Sequence, residues 1–187
     1  MWIRKLAVSI AFVSASSLFA RVFEVPVSQV EVIVPDAENR NPELGPRVCL
    51  QFDLPNEVRG IEIGYARLEI RLRLQPDSRD SLVNFEAFGL MSDWNENQRW
   101  DDFSTPGGDI DSNYFSSGTI KCAIDDVISL DLTNLAQEWN SSDDANHGLI
   151  LIPRNSDSNA FTRFEYSREQ LRGLAILKIL VPGQDAE

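Results

Sequence analysis

At 187 residues the chain is long enough for one domain with a substantial core and too short for two ordinary domains. Hydrophobic residues make up 43% and charged residues 25% of the chain, a composition that excludes an intrinsically disordered protein. The formal net charge is −12, from 29 acidic against 17 basic residues, and a field of that sign argues against nucleic acid as a partner.

The first twenty residues have the layout of a secretory signal peptide. Arg4 and Lys5 form a basic start, residues 6–13 form an apolar run, and small residues follow as far as Ala20. The apolar run is too short to anchor the chain stably in a membrane. We therefore expect cleavage near residues 15–20 and a secreted, extracellular, periplasmic or cell-surface protein. A hydrophobic first strand is the alternative interpretation.

Two cysteines, Cys49 and Cys122, lie in strand-like segments. An oxidising compartment would permit a disulfide between them, but a bridge needs Cα atoms within about 7 Å and facing side chains. Two buried free thiols are the other interpretation, and the sequence leaves both open. Two cysteines at this separation do not suggest a zinc site.

From about Val22 onward, short apolar or alternating segments separated by turns predict β-strands. The clearest is residues 66–74, where aliphatic residues alternate with arginine and glutamate. The predicted strands are residues 22–34, 48–52, 66–74, 83–90, 119–124, 127–132, 149–152 and 174–181, with a further strand ending at residues 167–169.

A short α-helix is predicted near residues 132–139, because apolar residues recur there at i, i+3, i+4 and i+7. Asp131 or Thr133 can cap it by accepting an N–H of the first turn. A long polar connection from Met91 to Ser117 carries several aromatic residues. Together these signals predict a single all-β domain over residues 22–182, an antiparallel β-sandwich of jelly-roll type, followed by a tail at 183–187.

Six short motifs follow one another in a recognisable order: residues 47–54 (RVCLQFDL), 63–70 (IGYARLEI), 94–100 (WNE…W), 131–139 (DLTNL…W), 146–151 (NHGLIL) and 164–169 (FEYSRE). In this order they resemble the DNRLRE domain, an extracellular β-sandwich family related to a group of carbohydrate-binding modules. The resemblance covers residues 25–181. Two features depart from it: the opening segment is short and lacks an Asn-x-Gly turn, and Ser167 lies one or two positions from its expected place.

The resemblance implies a non-catalytic module of secreted or surface proteins, which in several cases binds polysaccharide or a cell-surface glycan. Sugar binding needs aromatic faces and planar polar groups. The connection from Met91 to Ser117 supplies both, and its candidate residues are Trp94, Trp100 and Tyr114 with Asn95, Asp101 and Asn113. In the alternative interpretation, Trp94 and Trp100 close one end of the sandwich as core residues.

The arginines of the alternating strand are a second candidate site. Arg67, Arg71 and Arg73 share one face, where they could pair with the carboxylates of a uronic-acid polymer. The alternative is a solvated strand face on which Glu69 and neighbouring acids are the partners.

Metal binding and catalysis find less support. Residues 109–113 begin like a calcium loop, but Tyr114 and Ile120 stand where an EF-hand needs glycine and glutamate. We expect no cofactor, although a structural Ca²⁺ held by loop carboxylates stays open. His147 is the only histidine, and no nucleophile-elbow motif is present, so we expect no enzyme. Paired carboxylates for glycoside hydrolysis also stay open.

Two functional hypotheses follow. The first is a secreted carbohydrate-binding module that acts by aromatic stacking. The second is a structural or adhesion module that docks onto other extracellular proteins through a sheet face or an edge strand.

Overall fold

The computed structural model describes residues 20–33, 47–71, 82–95, 110–121, 127–142, 145–154 and 168–183. Residues 1–19 of the predicted leader lie outside these ranges, as do Arg73, Trp100 and Cys122. The described strands are β1 (Arg21–Ile33), β2 (Arg47–Phe52), β3 (Tyr65–Arg71), β4 (Leu82–Leu90), β5 (Ile110–Lys121), β6 (Val127–Asp131), β7 (Leu149–Arg154) and β8 (Ala175–Val181). The described helices are α1 (Thr133–Ser141) and α2 (Arg168–Leu174).

These eight strands join one antiparallel sheet in the order β5-β4-β7-β2-β1-β8-β3-β6. β1 belongs to both halves of the sheet, because residues 21–26 pair with β8 and residues from Val27 onward pair with β2. The register shifts between Val27 and Gln29, and the hydroxyl of the extra residue, Ser28, donates to the carbonyl of Gln51 (3.1 Å). Such a bulge bends a strand and increases its twist, which lets β1 pass from one half into the other.

The sheet curls until its two edge strands meet. A Cβ atom added to Gly118 of β5 would lie 2.9 Å from Leu130 Cδ2 and 3.2 Å from the carbonyl oxygen of Ser129, both on β6. One hydrophobic cluster fills the inside of the curl and draws buried side chains from seven of the strands and both helices. Its largest fully buried members include Phe52, Leu50, Leu68, Ile128, Leu149 and Leu177.

The prediction of an all-β, antiparallel fold is confirmed. The finer prediction of a jelly-roll sandwich stays a prediction, because hydrogen bonds join the described strands into one continuous sheet. Alternation along β3 has the expected consequence: Ala66, Leu68 and Ile70 are buried, and the residues between them face away from the core.

The predicted connection from Met91 to Ser117 is shorter than expected, because β5 already begins at Ile110. β5 is an edge strand, and none of its described side chains is fully buried. Its serine, asparagine and glycine residues therefore show no alternating hydrophobic pattern, and hydrogen bonding to β4 decides the conformation. As a result, Asn113 and Tyr114 lie on a strand and not in a loop.

α1 confirms the helix predicted near residues 132–139. The sequence predicted a single helix and a strand ending at residues 167–169. Both predictions are wrong, because a second helix, α2, begins at Arg168. Residues 168–174 include arginine, glutamate, glutamine and leucine, which are strong helix formers, and Leu171 is buried one turn before the half-buried Leu174. Within the described ranges, no helix is both long and apolar enough to cross a membrane.

A second hydrophobic cluster lies on the opposite face of β2, β4 and β7, and its buried members are Ile33, Cys49, Leu90, Trp94, Ile150 and Ile152. Cys49 is a free thiol there. Burial, followed by the nearby Glu31 carboxylate, raises the pKa of Cys49 to about 12. Arg168 of α2 donates to the buried Glu31 carboxylate (2.6 Å), so an ion pair ties α2 to β1.

The turn before β7 is bound tightly to the end of β2. Asn146 Nδ2 donates to the carbonyl of Phe52 (2.8 Å), and Gln51 Nε2 donates to the carbonyl of Asn146 (3.1 Å). Gly148 has a φ of +82°, and a Cβ atom there would overlap the carbonyl oxygen of Leu50. Glycine is therefore required at position 148 both for its backbone conformation and for lack of space.

We predict that Gly148→Ala lowers the free energy of unfolding by about 3 kcal/mol, because left-handed strain adds to a backbone clash. Gly60→Ala is the matched control for strain alone, since Gly60 has a φ of +72° with open space around it, and should cost about 1–2 kcal/mol. Gly173→Ala, in α2 with open space, should be neutral or slightly stabilising. Urea unfolding measures all three; equal losses at positions 148 and 60 would contradict the clash.

Candidate functional site

β5 contains a wide bulge opposite β4. Phe115 pairs with Phe88 of β4, but the next residue of β4, Gly89, pairs with Asp111. Residues 112–114 of β5 are therefore left out of the ladder. The Asp111 carboxylate accepts the N–H of Asn113 (2.8 Å), which forms an Asx turn inside the bulge. Bulges re-aim side chains, and this one carries Asn113 and Tyr114 towards the start of α1.

A groove of about 220 Å³, which we name the bulge groove, lies between residues 113–116 of β5 and residues 131–135 at the start of α1. Thr133 fixes its helical wall: the N–H (2.9 Å) and the hydroxyl (2.6 Å) both donate to the Asp131 carboxylate, and Thr133 Oγ1 accepts the N–H of Ala66 (3.0 Å). The predicted cap by Asp131 or Thr133 is not formed, because the N-cap residue is Leu132 and no side chain caps the helix; Asp131 lies one residue before it and, of the backbone N–H groups, accepts only that of Thr133.

Two consecutive aromatic residues line the bulge groove. Phe115 is 51% exposed, and its ring centroid lies 5.1 Å from that of Phe88 at an angle of 44°, so the ring is supported yet open to solvent. Tyr114 is half-buried, and its hydroxyl donates to the Glu138 carboxylate of α1. A Cβ atom on Gly89 would lie 3.3 Å from Tyr114 Cβ, so the absence of a side chain at position 89 gives the bulge its room.

The charged groups around the bulge groove are negative. The hydrogen bond to Glu138 raises the pKa of Tyr114, and burial and the negative charges of Glu138 and Asp111 raise it further. Asp131 adds an exposed carboxylate, and no lysine or arginine occurs at residues 113–116 or 131–135. A surface of this charge repels anionic ligands.

Trp94, predicted as a stacking residue, lies elsewhere. It is 7% exposed, belongs to the second hydrophobic cluster with Cys49, and donates its indole N–H to the carbonyl of His147 (2.9 Å). These contacts correspond to the core role that was the alternative interpretation. Asn95 is exposed beside it and does not line the bulge groove, whereas Trp100 and Asp101 lie outside the described residues.

The arginines of β3 lie on the outer face of the sheet. Arg67 forms an ion pair with Glu69, which also pairs with Lys178 (2.9 Å), and Lys178 Nζ lies 3.6 Å from Glu24. The hydrogen bond from Lys178 holds the pKa of Glu69 below its usual value. Arg71 is exposed near the end of the strand. The charge of Arg67 is thus neutralised by Glu69 on the same strand face. This corresponds to the alternative interpretation, in which neighbouring acids are the partners of the arginines.

His147 connects the turn before β7 to the segment after β4. Its Nδ1 lies 2.8 Å from an Asp93 carboxylate oxygen, and its carbonyl accepts the Trp94 N–H. No group of three or more potential metal ligands occurs among the described residues. Asp111, from the calcium-like segment, uses its carboxylate within the Asx turn.

Seven groove residues were not predicted as binding residues: Phe115, Ser116, Asp131, Leu132, Thr133, Asn134 and Leu135. Phe115 follows Tyr114 directly, so its aromatic character was a usable signal. Residues 131–135 span the end of β6 and the start of α1, and only the curl of the sheet places them beside β5.

We predict that Tyr114 ionises above the ordinary tyrosine pKa of about 10 in the folded protein. Its protonated form therefore contributes stability that is present below the unfolded pKa and is lost as the pH rises through the folded pKa. Spectrophotometric titration of wild-type protein and Tyr114→Phe isolates this group. Glu138→Ala should lower the Tyr114 midpoint, because it removes the hydrogen-bond acceptor and its charge; an unchanged midpoint would contradict the assigned cause.

No protein-family model matches the chain. No curated protein has a significantly similar sequence either.

Proposed function

We propose that this protein is a secreted, non-catalytic carbohydrate-binding module that holds a neutral polysaccharide in the bulge groove. The observation that carries the proposal is the exposed ring of Phe115, supported by Phe88 and placed beside Tyr114. An exposed, immobilised aromatic ring can stack on the apolar face of a pyranose at little entropic cost.

Polar groups beside the rings match the hydroxyls of a sugar. Asn113 and Asn134 are exposed and carry amide donors and acceptors, while Ser116 and Asp131 add a hydroxyl and a carboxylate. The negative charge of the groove favours a neutral glycan over a uronic-acid polymer. The paired state of Arg67 supports the same choice, since its charge is already matched by Glu69.

The signal-peptide layout of residues 1–20 and the resemblance to DNRLRE domains support an extracellular location. In such a setting a polysaccharide or a cell-surface glycan is the partner to be expected. The acidic composition suits an exported protein that must stay soluble.

We predict that Phe115→Ala weakens polysaccharide binding at least about twofold to tenfold, because aromatic stacking contributes about 0.5–1.5 kcal/mol beyond the buried area and 1.4 kcal/mol is tenfold. Affinity electrophoresis against a panel of neutral and acidic polysaccharides measures the effect. Phe115→Trp should restore binding, since it restores a stacking face.

Two controls separate binding from folding. Met91→Ala removes another exposed apolar side chain (58% exposed) that does not line the groove, and should leave binding unchanged. Trp94→Phe should lower stability through loss of its hydrogen bond but leave the affinity of folded protein unchanged. Retention on no polysaccharide, or equal loss in Phe115→Ala and Met91→Ala, would refute the proposal.

A structural or adhesion module is the second candidate, and one surface favours it. On the outer face of the sheet, Val22 of β1 pairs with Leu180 of β8, which pairs with Tyr65 of β3. Val22 is 63% and Tyr65 40% exposed, so the three form an apolar row open to solvent. Exposed apolar rows of this kind serve as contact sites between proteins.

We predict that, if this row is a docking site, wild-type protein self-associates with rising concentration and Val22→Glu abolishes the association, because a charge is inserted into the contact. Light scattering measures both. A monomer across the whole concentration range would count against this second candidate and leave the first untouched.

A further inference from the structure

Three carboxylates border the bulge groove, and each is fixed by a contact within the chain. The Asp111 carboxylate accepts a backbone N–H inside the β5 bulge (2.8 Å), and the Glu138 carboxylate accepts the Tyr114 hydroxyl. The Asp131 carboxylate accepts the N–H (2.9 Å) and the hydroxyl (2.6 Å) of Thr133. All the contacts are hydrogen bonds from neutral donors, so the three negative charges remain.

These charges have no basic partner in the part of the chain that the structure describes. No ion pair there involves Asp111, Asp131 or Glu138. Arg67 lies opposite Asp131 in the ladder between β3 and β6, but its guanidinium pairs with Glu69. The groove therefore keeps a negative potential, which attracts cations as well as repelling anions.

Asp131 is the carboxylate that a ligand in the groove can reach. It is exposed and lines the groove, whereas Asp111 and Glu138 lie beside the lining. Both hydrogen bonds from Thr133 go to Oδ1, and no described residue donates to Oδ2. Thr133 Oγ1 in turn accepts the N–H of Ala66 (3.0 Å), so the carboxylate is held in place. A fixed carboxylate oxygen of this kind accepts an ammonium N–H more strongly than a hydroxyl.

The aromatic residues of the groove favour the same type of ligand. Phe115 is 51% exposed, and Tyr114 lines the groove beside it. The face of an aromatic ring stacks on a sugar ring, and it also attracts a cation placed over it. Rings and a carboxylate in one groove therefore suit a sugar that carries a positive charge better than a sugar that carries hydroxyls alone.

We propose that the bulge groove prefers a polysaccharide whose residues carry protonated amino groups over the neutral chain of the same length and linkage. The inference rests on the proposed function, because stacking on Phe115 still holds the sugar ring. It adds an ammonium site at Asp131 Oδ2, while Asp111 and Glu138 act through their charge alone.

The test compares two oligosaccharides of the same linkage, the tetramers of glucosamine and of N-acetylglucosamine, which differ in the charge that the acetyl group removes. Titration calorimetry at low salt and about pH 5.5, where the free amine is protonated and aspartate is ionised, measures both. The glucosamine tetramer should bind wild-type protein about fivefold more tightly, since one exposed ion pair and one cation–π contact are gained. Equal affinities, or no binding of the glucosamine tetramer, would overturn this inference.

A matched pair of variants separates the site from general attraction by a chain of net charge −12. Asp131→Asn keeps an oxygen for Thr133 but removes the charge, and should abolish the preference while leaving the affinity for the N-acetylated tetramer unchanged. Glu24→Gln removes one carboxylate from the outer face, where Glu24 is 63% exposed, and should keep the preference. Equal loss in the two variants would show non-specific attraction and overturn the site.

The two proposals fail in different ways. Retention of wild-type protein on neutral polysaccharides that depends on Phe115, with no preference for the amino sugar, would overturn this inference and leave the proposed function standing. A preference that depends on Asp131 but survives Phe115→Ala would contradict the stacking of the proposed function and leave the ammonium site.

Discussion

The close approach of Gly148 to the carbonyl of Leu50 is the constraint on which much of the described structure depends. Only a glycine in a left-handed conformation lets the chain pass this close to β2 and continue as β7 between β2 and β4. The carbonyl of Gly148 then accepts the N–H of Leu90 (3.1 Å), which joins the end of β4 to the same turn. The carbonyl of His147 in this turn accepts the indole N–H of Trp94, and Asn146 lines a separate pocket beside Trp139, the end pocket.

α1 is the element that the two concave surfaces have in common. Its first turn, around Thr133, borders the bulge groove, and Trp139 near its other end borders the end pocket. The helix is held to the sheet by packing and by side-chain hydrogen bonds, including one in which Ile63 N–H donates to Gln137 (2.8 Å). Because this anchored helix contributes to both surfaces, it stabilises the geometry of each. This role does not require coupling between the two surfaces.

The acidic character of the chain is distributed unevenly over these surfaces. Carboxylates of Asp111, Asp131 and Glu138 surround the bulge groove, where basic residues are absent from the lining. On the outer face, Lys178 and Arg67 are instead matched by acidic neighbours. The local field at the groove therefore disfavours anionic ligands, whereas the charges on the strand face are largely paired with one another.

The sequence by itself determined the strand-rich class and the α1 helix, because alternation and helical spacing are local signals. It did not reveal α2, whose first residues were assigned to a strand, or the start of β5, whose polar edge carries no hydrophobic pattern. Of the predicted binding residues with described positions, Asn113 and Tyr114 line the bulge groove, and Trp94 is a core residue. Only the tertiary structure decided this, because the bulge in β5 and the curl of the sheet bring together residues far apart in the chain.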